Sequence, residues 1–262
     1  MSFTEYYNSL KENPNNISYW YPKIKDCGIL VPYTYIATVP EEVVKACFME
    51  GKKQQECIDT IYNWVKNELM PAIPRTLRGL LFIKNGAFSN KFDFSTALAR
   101  YNALDLTRSM IEINYASLMY ETGGNTEIAI RNRIPHYPDV DPCIYNGMPL
   151  RNEYRIFYDF DTHRTLYIVN YWDWEYCHDA IAEYNITDKI IYESVYPKLS
   201  EHYEVNKYQV MQLVDDKMKN ATDMTGIWSI DIMEANDQLW LIDMAVAEQS
   251  VYWDPVAAGI ES

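Results

Sequence analysis

Short apolar runs separated by turn residues dominate the chain after residue 80, whereas the stretch before it alternates loop-like and helical patterns. Residues 80–84, 127–131, 153–158 and 165–170 are rich in Ile, Leu, Tyr, Phe and Val at strand length, and the spacing predicts four strands. Residues 159–164 join the last two as a hairpin connection. Cys57, Ile61, Trp64, Val65 and Leu69 fall near one helical stripe, which predicts a helix over 54–69 stopped by Pro71. Pro40 followed by Glu41 and Glu42 starts a shorter helix, since proline and acids suit a helix N-terminus. Further helices are expected over 95–121, ending at Gly123-Gly124, and near 174–183 and 205–219. Residues 1–40 read as loop-rich, with a turn at 13–16, an aromatic knot at Tyr19-Trp20-Tyr21-Pro22 and a buried strand over 28–32. Short links make the strands after residue 125 mostly antiparallel. The pattern predicts an α+β chain in two parts, 1–124 and 125–262, the second built on an antiparallel sheet.

The last hairpin carries the first chemical signal. Two apolar runs, 228–233 and 239–244, flank turn-forming residues 234–238, and Asp231 and Asp243 stand six positions either side of Asp237. A turn centred there makes the two acids cross-strand partners, with Cβ atoms about 4.5–5.5 Å apart, where like charges repel. A cation between them or a shared proton removes that repulsion. Alternatively, one or both simply end a strand and face water. Magnesium suits the first case, because it takes one or two carboxylates and completes its shell with water and phosphate oxygens.

Composition narrows the field. At 48% hydrophobic and 23% charged, the chain is an ordinary globular sequence, long enough for one large domain or two small ones. Its 23 tyrosines are expected as half-buried packing with the hydroxyl at the surface. A formal charge of −14 disfavours nucleic acid and anionic membranes and is compatible with a basic protein surface. The five scattered cysteines show no metal or disulfide spacing, no run of about 18 apolar residues occurs, and the start lacks a leader pattern, so a cytoplasmic protein is expected. Phosphate-loop, dinucleotide-binding and hydrolase-elbow motifs are absent. Asp139-Val-Asp141 lacks the later glycine and glutamate of a calcium loop and reads as a surface turn.

Among the cations, Arg155 lies inside a strand and needs a partner if its face is covered: phosphate oxygens, Asp231 or Asp243, each of which arginine grips bidentately. Otherwise it sits on a solvated face, paired weakly with Asp159. Lys84 and Arg131 end strands and Lys91 follows a loop; each lysine alone is an ordinary surface residue.

Six segments in order resemble the ATP-grasp superfamily and, within it, the cell division cycle protein 123 (D123) family with its viral and bacterial relatives. They are Trp20-Tyr21-Pro22 with the segment through Pro40, the strand ending Phe82-Ile83-Lys84-Asn85, the strand from Glu127 to Arg131, Glu153-Tyr154-Arg155, Asn170 to Asp173 with the helix after it, and Asp231 with Trp240-Leu241-Ile242-Asp243. The resemblance implies two α+β parts with a nucleotide cleft between them. Lys84 would contact ATP phosphates, Glu127 to Arg131 would lie by the adenine, and Arg155 would clamp the phosphate end as the catalytic cation. Asp231 and Asp243 would hold Mg²⁺, and Lys91 would add a phosphate contact from a lid. The family's final metal strand reads Asp-x-Asn, but this chain has Ala245 there, so water, Asn170, Glu248 or Gln249 would have to replace one ligand. The implied function is an ATP-dependent ligase that activates a carboxylate as an acyl-phosphate and joins it to an amine or thiol, with a peptide among its possible substrates. The alternative is an ATP-binding assembly protein acting on a protein partner such as a translation factor, with the N-terminal aromatics exposed to it. A third reading is a related domain that binds no nucleotide.

Overall fold

The computed structural model describes residues 1–49, 53–120, 122–134 and 141–260. The expected turn at Asp139-Val-Asp141 begins outside them. Two compact units form, one from residues 1–19 and 33–133, the other from 20–32 and 134–262. Both sheets that matter are antiparallel throughout.

The N-terminal stretch is helical rather than loop-rich. α1 (Phe3–Lys11) starts at a capping box in which Ser2 and Glu5 satisfy each other's backbone N–H groups. α2 (Ile17–Ile24) carries the aromatic knot, and Trp20 and Tyr21 are buried, not exposed. The first unit continues with β1 (Thr34–Thr38), α3 (Glu41–Cys47) and α4 (Gln54–Trp64). A π-turn over Val65–Leu69 leads from α4 into α5 (Met70–Ala72), so the helix runs on through Pro71. β2 (Leu80–Asn85) follows. The helix expected over 95–121 is interrupted: a 3₁₀ segment (Lys91–Ala97) and β3 (Leu98–Arg100) precede α6 (Ala103–Met119), whose start is fixed by Asn102 accepting from the Asp105 N–H. β4 (Glu127–Asn132) completes a sheet of order β1-β4-β2-β3. One face of this sheet presents Leu81, Ile83, Ile128 and Ile130 to a core that includes the predicted α4 stripe of Cys57, Ile61, Trp64 and Leu69. A buried polar knot pins the end of β2: Asn125 Oδ1 accepts from the N–H of Gly86 at 3.0 Å, and Asn125 Nδ2 donates to Asn16 Oδ1 at 2.9 Å.

In the second unit, residues 28–32 form no strand; Leu30 makes a single bridge to Trp240. A small ribbon of β5 (Cys143–Ile144) and β6 (Met148–Pro149) precedes the main sheet. That sheet joins β7 (Glu153–Asp159), β8 (Arg164–Asn170), β9 (Ile227–Ala235) and β10 (Gln238–Val246) in the order β10-β9-β7-β8. α7 (Trp174–Tyr184) agrees with expectation, but the next helix is far longer than residues 205–219: α8 spans Ile186–Met218, 33 residues, through Pro197. Pro197 is exposed, as is Glu193, the residue whose carbonyl it leaves without an N–H partner in the helix. α8 lies against one face of the sheet. Tyr203 Oη donates to the Ile168 carbonyl at 2.9 Å, Asp215 accepts from the backbone and hydroxyl of Thr165 at 2.7 Å each, and His202 meets Glu234 at 2.6 Å. The opposite face is therefore left for other chemistry. Among the described residues no helix is long and apolar enough to cross a membrane.

Candidate functional site

On the face of the second unit's sheet turned away from α8, four residues stand in one row across four strands: Val169 on β8, Arg155 on β7, Asp231 on β9 and Asp243 on β10. Neighbouring strands are about 4.8 Å apart, so this row brings one guanidinium and two carboxylates together. Asp231 does face Asp243, but not by the symmetry of a turn centred on Asp237. The turn residues are Asn236 and Asp237, both with positive φ (51° and 58°), as a two-residue hairpin turn of the primed type requires. That turn pairs Gln238 with Ala235 and Leu241 with Ile232, a register that would place Ile242 opposite Asp231. A bulge between Leu241 and Asp243 absorbs Ile242 and restores the acid pair.

Arg155 is not paired with Asp159, whose carboxylate instead accepts from Asp161 and Thr162 in the β7–β8 turn. Its guanidinium grips Asp231 bidentately, Nε to Oδ1 and Nη2 to Oδ2 at 2.8 Å each. Nη1 donates to the Val251 carbonyl at 3.2 Å, and the rings of Tyr171 and Tyr252 lie 5.1 and 5.9 Å from the guanidinium carbon. The side chains of Arg155 and Asp231 are only 13% and 9% exposed. Burial alone would lower the arginine pKa, but the Asp231 charge and its hydrogen bonds outweigh that and hold it above its ordinary value. The C-terminal segment that supplies Val251 and Tyr252 is anchored on the same face. Trp253 packs on Phe157 and Tyr167 with ring centres 5.4 and 6.3 Å apart, and the Tyr167 hydroxyl donates to the Tyr252 carbonyl at 2.9 Å. Sequence reasoning missed Val251, Tyr252 and Tyr171. Only the density of aromatics after residue 250 hinted at a segment that packs rather than trails.

Two opposed carboxylates fit a magnesium ion, which needs no more than that from the protein. No group of three or more His, Cys, Asp or Glu side chains suited to a metal occurs among the described residues, so a ligand or water must complete the shell. Ala245 lies opposite Ser229, in the same register as the acid pair. Asn170 does not replace the missing side chain. It pairs with Tyr154, one position out of phase with Arg155 and hence on the α8 face, and its Oδ1 accepts from the Trp172 N–H at 3.0 Å. Glu248 and Gln249 are exposed on a short 3₁₀ turn over Ala247–Gln249.

In the first unit the register gathers three of the proposed nucleotide residues on the sheet face opposite the core. Lys84 stands opposite Ala129, and Glu127 and Arg131 are the same-face neighbours of Ala129 on β4. Such diagonal neighbours are about 7–8 Å apart. Lys84 is 1% exposed and Arg131 3%, which separates both from ordinary surface cations. Arg131 Nε donates to Thr34 Oγ1 at 3.0 Å. The Glu127 carboxylate is engaged with the N-terminus of α2, accepting from the Ser18 hydroxyl and, at 3.3 Å, from its N–H. Lys91 opens the 3₁₀ segment, with its ammonium 5.2 Å from the ring centre of Phe92, away from the β2–β4 register that gathers the other three.

By sequence, no family model and no curated protein matches the chain. By structure, it is similar to C-terminally truncated Cdc123 from Schizosaccharomyces pombe, with a TM-score of 0.53, 13% identity, and 92% of this chain and 89% of that chain covered. A second structure of Cdc123 from Schizosaccharomyces pombe matches with a TM-score of 0.51 and 14% identity, covering 93% and 89%. A RimK domain protein ATP-grasp from Sphaerobacter thermophilus aligns at 10% identity over 94% of this chain and 65% of that one, with a TM-score of 0.43, too low to define a shared fold.

Proposed function

We propose that this chain, which has the fold of Cdc123, binds ATP together with Mg²⁺. The observation that carries the proposal is the row Arg155–Asp231–Asp243, a cation beside two opposed acids on a sheet face that α8 leaves uncovered. Asp231 and Asp243 hold the metal, and Arg155 bonds the phosphate end of the nucleotide, where a planar two-pronged donor matches phosphate geometry. In the first unit, Lys84 offers positive charge to phosphates, the strand from Glu127 to Arg131 lies beside the base, and Lys91 contributes a further phosphate contact. When bound, the metal supplies electrophilic stabilisation of phosphate charge. The residues of the chain orient the triphosphate and offset its charge, the larger part of what phosphoryl transfer asks of a protein.

The reaction that suits this arrangement is ATP-dependent ligation, in which a carboxylate takes the terminal phosphoryl group and an amine or thiol then displaces phosphate. One observation favours a second reading, ATP-regulated assembly of a protein partner without turnover: alanine at 245, opposite Ser229 on the face of the acid pair, supplies no third ligand beside the two carboxylates. Thermal unfolding with ATP·Mg²⁺, GTP·Mg²⁺ and Mg²⁺ alone tests nucleotide binding. ATP·Mg²⁺ at a hundred times its Kd stabilises by about 2.7 kcal/mol, and the absence of any shift refutes binding. ADP release that depends on one carboxylate and one amine or thiol selects the ligase; binding without release selects the assembly role.

A further inference from the structure

Asp231 already has a cation within the chain itself. Both of its oxygens accept from Arg155 at 2.8 Å, and the guanidinium is fixed there from three more sides, by the Val251 carbonyl and the rings of Tyr171 and Tyr252. Tyr252 adopts φ of 72°, a backbone region that bulky residues rarely occupy, and the Tyr167 and Tyr171 hydrogen bonds and the Trp253 stack hold it there. A divalent ion placed between Asp231 and Asp243 would come to rest within two strand spacings of this guanidinium, with both carrying positive charge in a poorly solvated place. Burial makes that repulsion large. A polyphosphate changes the balance, because its oxygens offer Arg155 the same planar bidentate geometry that Asp231 offers now.

We infer that Arg155 is a resident counter-ion that bars the acid pair to a metal ion alone, so that the divalent ion enters only in company with a polyphosphate that takes over the guanidinium. This inference rests on the ATP·Mg²⁺ reading for the identity of the ligand and adds the order of binding. The C-terminal segment at Val251–Tyr252 acts as the clasp that keeps Arg155 on Asp231 until then. Mn²⁺ shares the oxygen ligands and octahedral geometry of Mg²⁺ and serves as the probe.

The test is metal retained with the protein on centrifugal ultrafiltration, with Mn²⁺ alone and with Mn²⁺ plus tripolyphosphate, each compared with Asp243→Asn in the same mixture. Wild-type protein is expected to retain Mn²⁺ roughly tenfold or more tightly with tripolyphosphate than without. Arg155→Gln, which keeps a hydrogen-bonding side chain but no charge, is expected to retain Mn²⁺ alone at least as tightly as wild-type protein does with tripolyphosphate. The wild-type comparison stands by itself if the variant fails to fold. Equal retention of Mn²⁺ by wild-type protein with and without tripolyphosphate, dependent on Asp243, overturns the inference and leaves the ATP·Mg²⁺ reading intact. Retention in no mixture overturns both.

Discussion

Removing Arg155 while leaving Asp231 tests the energetics of the row without any ligand. In Arg155→Met the aliphatic stem is retained and the charge is lost. Asp231 then keeps a carboxylate that is 9% exposed, with both former charge-assisted hydrogen bonds gone, and the Val251 carbonyl loses its donor. Breaking a buried pair from one side costs about 3–5 kcal/mol, because the remaining charge is left without compensation. Deleting both charges is a different perturbation: Arg155→Met with Asp231→Leu buries no orphan and stays within about 1–2 kcal/mol of the wild-type protein. Urea unfolding followed by far-UV circular dichroism measures both, reading the midpoint at fixed slope. The reasoning fails if the single variant costs under about 1 kcal/mol, or if the double variant is less stable than the single one.

Three smaller perturbations probe the frame around the row. A Cβ on Gly86 would lie 2.5 Å from Asn125 Oδ1 and 2.9 Å from Asn16 Oδ1, so Gly86→Ala should destabilise the first unit by about 1–3 kcal/mol, read as a fall in Tm. Asp237 has φ of 58° at the second turn position, so Asp237→Gly should raise stability by about 0.5 kcal/mol; a loss would argue against the hairpin register. Protonated His178 donates to Glu193 at 2.9 Å and to Asp179 at 2.8 Å, and these bonds, Glu193's first, raise its pKa. A raised folded pKa means stabilisation present below the unfolded value of about 6.5 and lost as pH rises through the folded value. His178→Gln should remove that slope from Tm measured against pH, and an unchanged slope would show that the histidine is not its source.

The strands of the second unit were legible because each is rich in aromatic and branched apolar residues at strand length, and the short β7–β8 and β9–β10 links allow only antiparallel pairing within each hairpin. The acid pair was legible in outcome but not in cause. The symmetric placement about Asp237 coincides with the pairing only because a bulge at Ile242 offsets a turn centred half a residue earlier, and nothing in an apolar Leu241-Ile242 pair signals a bulge. The first two helices were missed for opposite reasons. α1 carries a readable capping box at Ser2 and Glu5, whereas α2 holds Pro22 inside it, a residue that argues against a helix on sequence grounds. The length of α8 was missed although Pro197 lies on its exposed side, where a missing N–H matters less, and tertiary bonds from Tyr203 and Asp215 hold the helix on the sheet. The surroundings of Arg155 were out of reach, since Val251 and Tyr252 lie 96 and 97 positions away and are brought back by packing of Trp253 on Phe157 and Tyr167.

Calorimetric titration of ATP in Mg²⁺ into wild-type protein and into Asp243→Asn asks the most of the account in one measurement. Saturable binding by the wild-type chain, weakened about tenfold or more by that exchange of one oxygen for an amide, is the predicted result; tenfold corresponds to about 1.4 kcal/mol. Identical affinities in the two proteins, or no heat of binding in the wild type at millimolar ATP, would contradict it.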